Sequence, residues 1–122
     1  MTRQDNNNKL IEEALLKEAD LLIEKADSQG EKALYNLFKS SILKKYKDQY
    51  DADILQGEVK KETVDKNIEF LFEDACSRFR VLPMIEASVK EDVIKRAQSF
   101  LEPWKAMITR TLLDKGIRVI YQ

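Results

Sequence analysis

Between residues 64 and 82 the chain places apolar side chains at Val64, Ile68, Leu71, Ala75, Phe79 and Leu82, always three or four positions apart. At about 100° per residue those steps keep every member on one side of an α-helix. A side that apolar must be covered by other elements. Several other segments share the period, and the 122 residues include 3 glycines and 2 prolines, so little interrupts long helices. Apolar residues make up 43%, enough for a folded core, and charged residues 35%, as solvated helix faces require. The expected fold class is all-α: a bundle of four to five mostly antiparallel helices with a short extended C-terminal tail.

The predicted organisation is a polar N-terminal tail over residues 1–8 and a single helical domain over 9–122. Asn6, Asn7 and Asn8 are candidate caps for a first helix over about residues 9–27, which Gly30 closes. Ser28 and Glu31 have capping-box spacing and open a second helix running to about Tyr46, with Leu34, Leu37, Phe38, Ser41, Ile42 and Tyr46 inward. Residues 51–57 read as a loop. The third helix covers about residues 58–82, where Pro83 ends or kinks it.

A second capping-box pair, Ser88 and Glu91, opens a fourth helix with Val89, Val93, Ala97, Phe100 and Leu101 inward. Pro103 suits the first turn of a fifth, whose inner face is Trp104, Met107, Ile108, Thr111 and Leu112. In the tail, Ile117, Val119, Ile120 and Tyr121 are β-formers with no evident partner strand in a helical chain. An extended tail packed on the domain is the expected solution, with strand addition to another molecule as the alternative.

The chain contains no histidine, which removes the commonest general base, the commonest zinc ligand and every Ser-His-Asp or Cys-His arrangement. Three dispersed glycines cannot build a phosphate loop. Glu69, Glu73 and Asp74 read as a solvated acidic face. No catalytic residue, cofactor or metal site is expected. The lone Cys76 falls on an apolar side as a small buried thiol and suits a reducing, cytoplasmic compartment. No apolar run approaches a membrane span, so no membrane partner is expected. A net charge of −1 offers no bulk attraction for nucleic acid.

What remains is surface. Leu16 and Ile23 fall on the flank of the first helix, and Phe70 and Val81 on the back of the third, beyond what one core stripe requires. These four are the expected protein-binding residues of a non-catalytic interaction module, a small adaptor, regulator or assembly subunit, with self-association the simplest form. The alternative is nucleic-acid association. The run Lys39, Lys44 and Lys47 interleaves with Tyr46 and Tyr50. The ending Leu112-Leu113-Asp114-Lys115-Gly116-Ile117 resembles the close of a winged-helix recognition helix before its wing strand. That resemblance implies phosphate contacts from Lys105, Arg110, Lys115 and Arg118. Against it, the preceding turn carries Phe100 and Leu101 where a glycine is usual, and Thr111 holds an expected apolar position.

Overall fold

The computed structural model of the protein describes residues 3–48 and 57–121, with side chains from Leu10 to Lys44 and from Gly57 onward. Five helices account for most of it: α1 (Arg3–Glu24), α2 (Gln29–Asp48), α3 (Lys61–Arg80), α4 (Ala87–Gln98) and α5 (Leu101–Asp114). Two short strands, β1 (Glu58–Lys60) and β2 (Arg118–Ile120), lie beside the N-terminal end of α3 and the C-terminal end of α5. The all-α expectation therefore holds, with a small addition. Among the expected loop residues, 51–56 lie outside the described residues, and Gly57 is a turn.

Helices α1, α2, α3 and α5 form a ring in which each packs on the next, and α4 lies along α2 and α3. Inside sit the stripes that the sequence announces. Val64, Ile68, Leu71, Ala75 and Phe79 of α3 are buried, and Leu82 packs half-buried behind them. From α5, Trp104, Met107, Ile108 and Leu112 enter the same core. The centre is aromatic. Phe38 meets Phe72 edge-on at 5.5 Å between ring centroids, and Trp104 lies 4.7 Å from Phe38 across the ring of helices. Each buried large side chain contributes about 1.5–3 kcal/mol before conformational entropy is subtracted.

Several elements depart from expectation. Helix α1 starts at Arg3, ahead of the expected start near residue 9, so residues 3–8 are helical. Ile23 is only 8% exposed. The buried line of α1 advances by fours, Ile11, Leu15, Ala19, Ile23, and each step rotates about 40°, so the core face winds round the helix until Ile23 enters it. Val89 and Phe100, expected inward, are exposed. The buried positions of α4 are Lys90, Val93, Ile94 and Ala97.

Half of the first capping box forms, the Glu31 amide donating to Ser28 Oγ at 3.2 Å while the Glu31 carboxylate accepts from the Asp27 amide. The second box does not form. Helix α4 begins at Ala87 with no side-chain cap, and Glu91 instead accepts from Arg80 Nε at 3.0 Å.

The tail has a partner after all. Strand β2 pairs in parallel with β1, Glu58 opposite Arg118 and Lys60 opposite Ile120. Gly116 makes this possible. At φ 83° it ends α5 in a conformation that side chains resist, and the Ile117 amide returns to the Leu112 carbonyl at 2.9 Å. The reversal buries Ile117, and the Arg118 amide then reaches the Gly57 carbonyl at 2.8 Å. Residues 58–60, expected as the opening turn of the third helix, are spent on this clasp.

Candidate interaction surface

Among the described residues, the two most exposed large apolar side chains, Met84 and Val81, lie where α3 gives way to α4. Helix α3 ends with the Val81 and Leu82 amides bonded back to the carbonyls of Arg78 and Phe79. Pro83 bars a further turn, because its ring disfavours a helical residue before it. Leu82 and Ile85 turn inward and pack against the core. The residues between and before them turn outward. Val81 is 77% exposed and Met84 93%, and Val89 on the first turn of α4 is exposed as well.

A buried lysine holds this corner. Lys90 is 7% exposed, and its ammonium donates to the carbonyls of Arg80, at 2.8 Å, and Leu82. Those carbonyls belong to the end of α3, where a helix leaves acceptors unpaired and a cation is favoured. The Arg80–Glu91 ion pair braces the same junction from outside. Val81 and Met84 are thus displayed on a loop tied at both ends.

The four expected partner-binding residues do not converge. Ile23 is core and leaves the set. Leu16 is exposed on α1, one turn before Asp20, which pairs with Lys39 of α2 at 2.9 Å. Phe70 is well exposed and shares a face of α3 with Val81, but eleven residues of helix separate them by about 16 Å. Phe70 borders a groove with Phe72 and Leu101, while Val81 is followed along the chain by exposed Met84 and Val89.

The basic candidates fare worse. Lys105 is buried and donates to Glu69 at 2.9 Å and Glu102 at 3.4 Å. The Glu69 hydrogen bond holds its ammonium above the usual lysine range, so its charge is spent inside the fold. Arg110 faces Glu18 at 3.5 Å and Lys39 faces Asp20. Lys44, Lys115 and Arg118 are exposed, while the Lys47 side chain lies outside the described residues. Helix α5 is packed between α1 and α3, with six of its residues from Trp104 to Leu112 buried besides Lys105. The strand after it pairs in parallel with β1, not in a wing hairpin. A recognition helix with an open basic face is not what this geometry provides.

Cys76 is buried, and its thiol is pushed up to about 11, first by burial and then by the Glu73 carboxylate. Among the described residues no helix is long and apolar enough to cross a membrane. Comparison with protein families, with curated proteins and with solved structures finds no match to this chain.

Proposed function

We propose that the chain is a non-catalytic protein-interaction module, a small adaptor, regulator or assembly subunit, whose principal contact is the corner formed by Val81, Met84 and Val89. One observation carries the reading: apolar side chains are displayed on a loop that a buried lysine fastens at its base. A fold gains nothing from holding Val81 and Met84 in water, whereas binding gains from apolar anchors fixed in advance. Methionine adapts its shape to a partner's surface at little cost. The absence of histidine and of any phosphate loop favours binding over catalysis. A reducing, cytoplasmic setting fits the lone buried thiol.

The test is a paired capture from the native source with wild type and with a Val81→Ser/Met84→Ser variant of unchanged helicity. Partners specific to wild type should be lost from the variant. Sedimentation of both proteins reads the self-association form directly. Identical partners and identical sedimentation for the two would sink the reading.

A further inference from the structure

A cleft of about 250 Å³ opens where the α1–α2 turn meets the start of α5, and it shares no residue with the corner above. Its floor is aromatic. Tyr35 and Trp104 are almost wholly buried, with ring centroids 5.7 Å apart and planes tilted by 41°, so the two rings make a corner and not a flat stack. Phe100 stands at the mouth, 52% exposed, although the sequence places it on the inner face of its helix. Leu22 and Pro103 complete the apolar wall.

The charged groups in the lining are Asp27, Glu31 and, at the rim, Lys25. Glu31 is buried against the cleft, with Oε1 accepting from Arg96 Nη1 at 3.1 Å and Oε2 from the Asp27 amide at 3.3 Å. Asp27 itself is exposed at the rim, with no cation bonded to it among the described residues. Trp104 and Tyr35 lend no polar atom to any protein group there: neither the hydroxyl nor the indole N–H has a partner among the described residues, and neither is sealed from solvent. The field is negative at the ring: burial, then Glu31, then Asp27 push the Tyr35 hydroxyl up to about 12.

We infer that this cleft binds the methylated ammonium group of an organic cation, seated against Tyr35, Trp104 and Phe100 and facing the carboxylates of Asp27 and Glu31. Aromatic faces attract such cations through the negative face of the ring, and a methylated ammonium is cheap to desolvate. The volume suits a trimethylammonium head and falls below that of drug-sized sites, which are about 300–1,000 Å³. Glu31 is paired with Arg96, so the selection for a cation rests on the aromatic rings and on the Asp27 carboxylate, against Lys25 at the rim. The wider groove between α1 and α5 offers no comparable selection, because no aromatic ring lines it.

Trp104 is the only tryptophan, so its emission reports the cleft. Choline titrated into the whole protein should change that emission saturably. Phe100→Ala and Asp27→Asn, both at exposed positions, should each weaken binding by about threefold to thirtyfold. Lys25→Met, which removes the cation at the rim, should tighten it. The neutral isostere 3,3-dimethylbutanol should bind far more weakly than choline. A peptide carrying trimethyllysine, compared with its unmethylated form, separates the sources. Tighter binding than choline marks a methylated protein, and equal binding marks a free small cation. The inference fails if the neutral isostere binds as tightly as choline. It also fails if neither emission nor ligand-observed NMR shows saturable binding, or if Phe100→Ala and Asp27→Asn bind as wild type does.

Discussion

Replacing Lys90 with methionine isolates the device that fixes the α3–α4 corner. Methionine keeps the apolar stem, which occupies a buried position on the inner side of α4. It removes an ammonium that donates to the carbonyls of Arg80 and Leu82. A hydrogen bond to a charged group is worth about 1.5–3 kcal/mol, and a cation at a helix C-terminus adds about 0.3–1 kcal/mol. Two terms reduce the loss. The variant no longer desolvates a charge. Arg80 is exposed, so its carbonyl can recover water, while Leu82 is half-buried and recovers less. The net expectation is about 2 kcal/mol of destabilisation. For a chain of this length, that lowers the melting temperature by about 8 °C.

The assay is thermal and urea unfolding followed by circular dichroism, with Lys95→Met on the exposed side of α4 as control. The control should lie within about 0.5 kcal/mol of wild type. Tryptic cleavage after Arg80 gives a local reading. If the corner opens by 2 kcal/mol, cleavage should accelerate by about thirtyfold. Lys90→Met that melts with the control and is cut no faster than wild type would refute the reasoning, because the corner would then hold itself without the ammonium.

Further outcomes follow from the same contacts. Thr109→Val should raise stability by about 1 kcal/mol in urea titration, since the buried Thr109 hydroxyl has no partner among the described residues and valine removes it at equal size. Ile23→Glu should cost more than about 3 kcal/mol or abolish folding, because it sets a carboxylate in the core, while Leu16→Glu should stay within about 0.5 kcal/mol. In the alkaline range, the folded state holds its Cys76 proton to about 11 against the usual 9.0, and its Tyr35 proton to about 12 against 10.0. The unfolded chain therefore binds fewer protons between pH 9 and 12, and stability falls as pH rises through that window. Cys76→Ala should flatten the lower part of the fall in urea midpoints measured from pH 8 to 11.

The helical interior was legible because burial on a helix writes itself in a period. Val64 to Phe79 and Trp104 to Leu112 could be assigned to the core from spacing alone. Ile23 was misread by the same rule. A stripe of fours drifts around a helix, and whether its end stays covered depends on how the neighbouring helices cross it. The clasp of β1 and β2 was illegible for a different reason. Three residues of strand carry almost no pattern, and the partners are sixty positions apart in sequence. Val119 and Ile120 signalled β-structure, but nothing in Glu58-Val59-Lys60 announced a mate. Two parallel strands of that length would not persist alone. They hold because the first residue of α3 follows Lys60 directly and Gly116 turns the end of α5 back toward it.

Surface function hides from sequence for a third reason: display is a tertiary property. Phe70 and Val81 could be placed off the core stripe of α3 by angle, and both are exposed. Met84 stands in a loop, where no period applies, and only the inward turns of Leu82 and Ile85 fix its direction. Phe100 shows the converse. Its angle on α4 points inward, but the helix ends at Gln98, and two residues of turn are enough to swing the ring to the mouth of a cleft. Charges obey the same logic. Lys105 and Lys90 look like any exposed lysine in the sequence, yet each is buried, one on a carboxylate pair and one on the open end of a helix. The residues that decide what this chain can bind are therefore those whose surroundings are set at the ends of helices, where periodic pattern stops and local bonding takes over.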